Sequence, residues 1–225
     1  MKRKLFFILL ISLPMFSLSA QDWPNLAKYQ EANAKIKRPK KNENRVVFMG
    51  NSITEGWGNV MPEFFEETPF INRGISGQTT PQMLVRFRQD VVDLQPKVVV
   101  ILAGINDIAG NTGPSTLEMI VDNIQSMAEI ARANGIKVVI ASVLPAYDFP
   151  WRPGIEPAPK VVKLNKMLKK YCKQQDFVYL DYFTPMADKK DALKSGLGDD
   201  GVHPNLAGYQ IMAPLAREAI TKALE

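Results

Sequence analysis

Residues 46 to 54 read Val46-Val47-Phe48-Met49-Gly50-Asn51-Ser52-Ile53-Thr54, and the rest of the chain is organised around this stretch. A short apolar run ends abruptly at Gly50, and a segment with apolar residues at wider spacing follows Ser52. The pattern predicts a buried strand that delivers the Ser52 hydroxyl to one end of a sheet. A serine in such a place is most often a turn residue or a helix cap. It acts as a nucleophile only where the chain also supplies a base, a group that orients the base and donors for an oxyanion.

Further apolar runs alternate with amphipathic segments along the chain. The run from Lys97 to Leu102 is the clearest strand, because it holds five consecutive apolar residues, four of them β-branched. Other strands are predicted at 45–49, 69–72, 136–141 and 177–180. Helices are predicted at 61–67, 81–94, 115–133, 160–173 and 205–224, the third of them opened by a Ser115-Thr116-Leu117-Glu118 capping box. This alternation predicts a doubly wound α/β sheet, in which ligands lie beyond the carboxyl ends of the strands.

Residues 1–20 have the pattern of a secretory signal peptide. Three basic residues precede an apolar core, and small residues end at Ala20, where we expect cleavage. The alternative is a membrane anchor, but the apolar stretch is shorter than the roughly 20 residues that span a bilayer. The sequence therefore predicts an exported protein, periplasmic or extracellular, without a stable membrane anchor.

The remaining residues, 21–225, suit a single domain with a sizeable core. Three of the 28 basic residues and none of the 23 acidic residues precede residue 21, so this part carries a net charge of only +2. Such a balance disfavours nucleic-acid binding. The chain has one cysteine, Cys172, on an apolar helix face, so it cannot form an internal disulfide. One cysteine and one histidine also argue against a metal site. Residues 22–41 have helical spacing, and we expect residues 21–44 to form a helical extension packed on the domain.

His203 is the chain's only histidine, and it lies three residues after Asp200. The ordinary pKa of a histidine, about 6.5, makes it a suitable base near neutral pH. A carboxylate at this spacing can turn back to hold the imidazole in the tautomer that accepts a serine proton. The alternative is a solvated loop that caps the last helix. Asn106 and Gly74 also follow strands, where asparagine and glycine are ordinary turn residues.

Taken together, these residues resemble the SGNH hydrolases, the GDSL-like esterase and lipase superfamily. Four motif blocks occur in order over residues 46–205: Gly-Asn-Ser-Ile-Thr at 50–54, Asn-Arg-Gly at 72–74, Gly-Ile-Asn-Asp at 104–107 and Asp-Gly-Val-His-Pro at 200–204. The first block has Asn51 where the eponymous motif has aspartate. The resemblance implies a single-domain, three-layer α/β/α sandwich with a mostly parallel, flavodoxin-like sheet.

The same resemblance assigns roles to individual residues. It implies that Ser52 is the nucleophile, with Asp200 and His203 as its partners, and that no metal or cofactor takes part. The implied oxyanion hole consists of the N–H groups of Ser52 and Gly74 and the side chain of Asn106.

The substrate is less constrained by the sequence. Asn51 and Trp57 lie near the nucleophile, and Tyr147 and Trp151 lie in a proline-rich loop at 142–159, so these four are candidate substrate contacts. The aromatic rings would stack on sugars or, alternatively, close over the core or form the wall of an acyl pocket. We predict a short-chain, acetyl-type esterase that acts on a glycan or small-molecule ester, with O-acetyl groups on carbohydrate as the expected substrate. The alternatives are a lysophospholipase or thioesterase, and a non-catalytic carbohydrate-binding protein on the same scaffold.

Overall fold

The computed structural model describes residues 21–225, and the predicted signal peptide lies outside them. The strands are Val46–Gly50 (β1), Phe70–Gly74 (β2), Val98–Leu102 (β3), Lys137–Ala141 (β4) and Val178–Leu180 (β5). They form one parallel sheet in the order β2-β1-β3-β4-β5. This is the flavodoxin-like order, so the predicted fold class is confirmed.

Helices cover both faces of this sheet. They are Gln30–Lys35 (α1), Ser52–Val60 (α2), Glu63–Glu66 (α3), Thr80–Asp90 (α4), Ile105–Ile108 (α5), Leu117–Ala133 (α6), Ala158–Gln175 (α7), Phe183–Met186 (α8) and Leu206–Leu224 (α9). Alternate strand residues point to opposite faces. Met49 and Ile101 therefore join the core under α4, α6 and α7, whereas Phe48 and Val100 join the core under α2, α3 and α9. In the part of the chain that the structure describes, no helix is long and apolar enough to cross a membrane.

The predicted strands and long helices agree with the structure to within a few residues, but several local details differ. The cap of α6 is Thr116 and not Ser115, because the Thr116 side chain accepts the Met119 N–H. The helices α2, α5 and α8 were not among the predicted helices, and α5 and α8 have only four residues each, too few to show a helical period. Cys172 is buried as predicted, and burial raises the pKa of its thiol to about 12.

The prediction of one long helix over residues 22–41 is wrong. The only helix in this segment is the six-residue α1, preceded by turns in which Asn25 has a φ of 56°. Three glutamines of the domain explain the difference, because they bind carbonyl groups of this segment from the side. The Nε2 groups of Gln78, Gln82 and Gln89 donate to the carbonyls of Pro24, Trp23 and Leu26, each at 2.7 Å. The segment is thus a strap on α4 rather than a continuous helix.

Arg86 of α4 is fully buried and joins the ends of two strands. Its Nη2 donates to the carbonyl oxygens of Gly50, at the end of β1, and Arg73, in β2, at 3.1 and 2.9 Å. Its Nη1 pairs with the buried Asp90 at 2.9 Å, and its Nε donates to Gln78 at 2.5 Å. One side chain therefore ties together β1, β2, α4 and the loop that leads into α4.

We expect Arg86→Met to lower the free energy of unfolding by about 3–5 kcal/mol, because it leaves the Asp90 carboxylate buried without its cation. The double variant Arg86→Met/Asp90→Leu should recover part of this loss, since the unpaired charge is gone. Arg88→Met, on the exposed side of the same helix, is the control and should change stability by less than about 0.5 kcal/mol. Urea unfolding measures all three, and equal losses for Arg86→Met and Arg88→Met would contradict the expectation.

Candidate active site

Ser52 lies at the carboxyl end of β1 as the first residue of α2. The turn before it is tight. A Cβ on Gly50 would come within 2.0 Å of Thr54 Oγ1, so only glycine fits there. The Asn51 side chain caps α2 by accepting the Ile53 N–H at 3.0 Å. Because β1 lies between β2 and β3, where the winding of the sheet reverses, Ser52 stands at the crevice where such folds bind ligands.

The structure brings the Ser52, His203 and Asp200 side chains into one hydrogen-bonded chain. Ser52 Oγ lies 2.8 Å from His203 Nε2, and His203 Nδ1 lies 2.6 Å from Asp200 Oδ2. An ionised carboxylate only accepts hydrogen bonds, so Nδ1 carries the proton and Nε2 is left to accept from the serine hydroxyl. This arrangement has the geometry of a nucleophile, a base and the group that orients the base.

The Asp200 carboxylate is held in its ionised form by its own loop. Burial raises the pKa of Asp200, but hydrogen bonds from the backbone N–H groups of His203 and Val202 and from the His203 ring outweigh it. The net effect is a pKa below the ordinary aspartate value. The two backbone bonds reach Oδ1 at 2.7 and 2.9 Å and leave Oδ2 to the imidazole. Asp200 therefore remains a carboxylate at neutral pH.

Asn106 lies on α5, just beyond β3, and its side chain is buried. Its Nδ2 donates one hydrogen bond to the Gln78 carbonyl at 3.0 Å, which leaves the second amide hydrogen for a ligand. The next residue, Asp107, accepts the hydroxyl and the N–H of Thr80 at 2.6 and 3.0 Å. The turn that carries Asn106 is thereby fixed to the start of α4.

The structure corrects the expectation for Gly74. Its N–H donates to Asn72 Oδ1 at 2.9 Å, and a Cβ at this position would lie 2.1 Å from the Glu55 nitrogen. Gly74 is therefore a close-packing residue against α2, and its N–H is already occupied. Three residues later, Gly77 is exposed with a φ of 77°, and among the described residues its N–H has no hydrogen-bond partner. The second glycine of the sequence Gly74-Ile75-Ser76-Gly77 is the signal that the sequence analysis missed.

Two of the candidate substrate contacts lie in the protein interior. The Trp57 side chain is only 1% exposed and stacks on Phe64 and Tyr209, with ring centroids 4.3 and 5.3 Å away. Asn51 is equally buried, and its side chain caps α2. Trp57 was predicted from its closeness in sequence to Ser52, but the helical turn directs its side chain into the core.

The other two candidates, Tyr147 and Trp151, lie at the surface, 59% and 47% exposed. The Trp151 ring stacks on the buried Phe149 ring, and its centroid is 5.8 Å from that of His203. Residues of this loop and Asp200 line a cavity of about 310 Å³. Trp151 is thus the predicted aromatic residue that reaches the candidate site.

The loop that carries Trp151 is fastened at two points. Asp148 accepts the N–H groups of Phe149 and Gly154 at 2.9 Å. The Arg152 guanidinium donates to the carbonyl groups of Ala109 and Gly110, directly after α5. The proline-rich loop and the Asn106 turn therefore hold each other in place.

Comparison with known proteins identifies the family to which the chain is similar. The sequence profile of the GDSL-like lipase/acylhydrolase family matches residues 48–211. A GDSL-like lipase structure from Bacteroides thetaiotaomicron is 48% identical with a TM-score of 0.87, covering 89% of this chain and 98% of that chain. A structure from Bacteroides fragilis, assigned provisionally as an acylhydrolase, is also 48% identical, with a TM-score of 0.90 and coverage of 92% and 100%.

A curated relative extends the comparison to a named activity. The acetylxylan esterase of Xylanibacter ruminicola is 25% identical over 220 residues, which cover 82% of this chain and 45% of that protein. The chain spans about half the length of the curated relatives it matches. Because the family profile covers most of its length, the protein belongs to the GDSL-like lipase/acylhydrolase family, a family of carboxylic ester hydrolases.

Proposed function

We propose that this protein is an exported serine esterase that removes acetyl-type groups from carbohydrate. The observation that carries the proposal is the continuous chain from Ser52 Oγ to His203 Nε2 and from His203 Nδ1 to Asp200, at 2.8 and 2.6 Å. A serine hydroxyl is a weak nucleophile unless a base removes its proton. Here the base is in contact with the hydroxyl and is itself oriented by a carboxylate.

The reaction proceeds in two acyl-transfer steps. Ser52 Oγ attacks the ester carbonyl carbon while His203 Nε2 takes the serine proton, and the imidazolium then protonates the departing alcohol. Collapse of the tetrahedral intermediate leaves an acetyl-enzyme ester on Ser52. Water, deprotonated by His203, attacks this ester, and the proton returns to Ser52 as acetate leaves. Asp200 stabilises the imidazolium in both steps.

Charge on the carbonyl oxygen requires fixed donors. The Ser52 N–H and the free amide hydrogen of Asn106 fill this role, with the Gly77 N–H in place of the Gly74 N–H. Support for Gly77 comes from its unpartnered N–H among the described residues and from Gln78, whose carbonyl binds Asn106. Losing one such donor typically costs about 3–4 kcal/mol of transition-state stabilisation.

The substrate proposal rests on the exposed aromatic surface beside His203. The half-exposed Trp151 ring, supported from beneath by Phe149, presents a flat face that suits the face of a sugar ring. An extended acyl chain would instead favour an enclosed apolar tunnel. The acetylxylan esterase relative and the signal-like sequence before residue 21 also favour an exported enzyme acting on a glycan.

We expect Ser52→Ala to lower kcat for 4-nitrophenyl acetate by at least about 10⁴-fold, without changing the melting temperature, because the nucleophile is lost. A fluorophosphonate probe should label the wild type at Ser52 and leave this variant unlabelled. Ser126→Ala is the matched control, since the Ser126 hydroxyl binds only the backbone of α6. A folded wild type that resists labelling at pH 8 would instead support a non-catalytic carbohydrate-binding protein.

Asp200→Asn should lower kcat by up to about 10⁴-fold, because an amide also stabilises the wrong imidazole tautomer. The adjacent carboxylate supplies the control. Asp199 lies 3.4 Å from the Asn205 amide and makes no contact with His203 among the described hydrogen bonds, so Asp199→Asn should retain activity. Steady-state kinetics on 4-nitrophenyl acetate measure both variants, and comparable losses in the two would remove Asp200 from its proposed role.

The acyl group and the alcohol are tested separately. We expect kcat/KM to be higher for acetyl than for octanoyl nitrophenyl esters, and the reverse order would favour a lysophospholipase or thioesterase. Trp151→Ala should raise KM for an acetylated xylo-oligosaccharide by up to about tenfold, as expected for a lost stacking contact, and leave KM for 4-nitrophenyl acetate unchanged. Trp23→Ala, at a similarly exposed tryptophan on the amino-terminal strap, is the control. Acetate release measures the oligosaccharide reaction.

A further inference from the structure

The surface beside the edge strand β5 carries a concentration of positive charge that the proposed catalysis does not use. Four lysines of α7, at positions 166, 169, 170 and 173, recur at helical spacing and therefore lie on one face. With Lys222 of α9 they line a cavity of about 590 Å³ along β5. We call this cavity the edge cleft and these four residues of α7 the lysine quartet.

The cations of the edge cleft have no ionic partners in the part of the chain that the structure describes. None of the five lysines forms a salt bridge there. The one acidic residue in the wall, Asp181, already accepts the N–H and the hydroxyl of Thr184 at 2.9 and 2.7 Å. Like charges three and four residues apart destabilise a helix, so the lysine quartet is a cost to α7 unless an external anion offsets it.

A second cavity extends this surface. It has a volume of about 520 Å³, shares Phe177 and Lys222 with the edge cleft, and adds Arg132 and Lys137 to its wall. The two cavities together contain seven basic residues and three acidic ones, which gives a net charge of +4. Residues 21–225 as a whole have a net charge of +2, with 25 basic and 23 acidic residues, so the rest of the domain is net negative, with 18 and 20. The residues of these two cavities therefore carry a net positive charge that the remaining residues of the domain, taken together, do not.

The floor of the cleft adds aromatic surface. Tyr179 and Phe177 are half-buried, with Lys169 Nζ 5.6 Å from the Tyr179 ring centroid and the Arg132 guanidinium 5.0 Å from that of Phe177. A concave site with aromatic rings and surrounding cations combines stacking on sugar rings with attraction to their carboxylates.

We propose that the edge cleft binds an anionic polysaccharide that carries uronic-acid carboxylates. The choice of a glycan as the ligand rests on the proposed function. The positive charge of the cleft indicates, in addition, that this glycan is acidic. Six of the seven cations are lysines, whose ammonium groups act as point charges that attract carboxylates without fixing their orientation. The large exposed apolar residues lie elsewhere on the described surface, so this face offers no side chain to insert into a bilayer.

The arrangement gives the enzyme a second hold on its polymer. Helix α7 begins directly after the proline-rich loop. The carboxyl end of β5 lies at the same end of the parallel strands as Ser52. The lysine quartet spans about 10 Å along the helix, at 1.5 Å per residue. A polymer held in the edge cleft stays tethered to the enzyme, which raises the local concentration of its ester groups.

The test measures binding of polygalacturonate, which carries no acetyl group, to the full domain by affinity electrophoresis and calorimetry. The wild type should bind, and its binding should weaken as ionic strength rises. The variant Lys166→Gln/Lys169→Gln/Lys170→Gln/Lys173→Gln should bind at least tenfold more weakly. The control Lys37→Gln/Arg38→Gln/Lys40→Gln/Lys41→Gln removes the same charge from exposed positions of the strap and should bind as the wild type does.

Several results would overturn the proposal. They are absence of polygalacturonate binding, an equal loss in the control, equal binding of a neutral xylo-oligosaccharide, and tighter binding of anionic phospholipid vesicles or DNA. Esterase activity is measured separately from polygalacturonate binding. The quartet variant should hydrolyse 4-nitrophenyl acetate at the wild-type rate, and Ser52→Ala should still bind polygalacturonate. A failure of the esterase proposal and a failure of the cleft proposal are thus distinguishable.

Discussion

The buried guanidinium of Arg86 is the interaction on which the geometry of the candidate site depends. It donates to the Gly50 carbonyl, two residues before Ser52, and to the side-chain oxygen of Gln78. The main-chain carbonyl of Gln78 in turn accepts a hydrogen bond from the Asn106 side chain. The rigid, planar guanidinium group of Arg86 therefore fixes the position of the turn before Ser52 relative to that of the proposed oxyanion donors. A catalytic arrangement tolerates errors of only about 0.5 Å. A buried, fully bonded arginine provides such a reference at the cost of desolvating a charge, which Asp90 offsets.

The fold was predictable because its signals are local and repeated. The central strands β1, β3 and β4 contain continuous apolar runs, and the long helices show a periodic apolar stripe, so β3 and α6 are evident from the sequence alone. The amino-terminal segment was mispredicted for the opposite reason. Its conformation is set by the side chains of Gln78, Gln82 and Gln89, which are distant in sequence and impose no period on the segment itself.

The candidate site was predictable only in part. Ser52, Asp200 and His203 follow from residue type and order, and the structure brings their side chains together. Gly74 and Trp57 show that residue type alone does not give the hydrogen bonding of an N–H group or the direction of a side chain. Which of two nearby glycines has a free N–H depends on whether Asn72 reaches it, and which way a tryptophan points depends on the turn of α2. The edge cleft combines α7, α9 and β5, so its charge is visible only after folding.

The manner in which the amino-terminal strap is attached affects how its sequence can change. The domain's glutamines bind main-chain carbonyl groups of the strap, which every amino acid possesses. Substitutions at Trp23 or Leu26 therefore leave those hydrogen bonds available, whereas substitutions of the glutamines remove them. The second half of the strap is held through the side chains of Tyr29 and Asn33, so we expect tolerance of substitution to be greatest around Trp23 and Leu26.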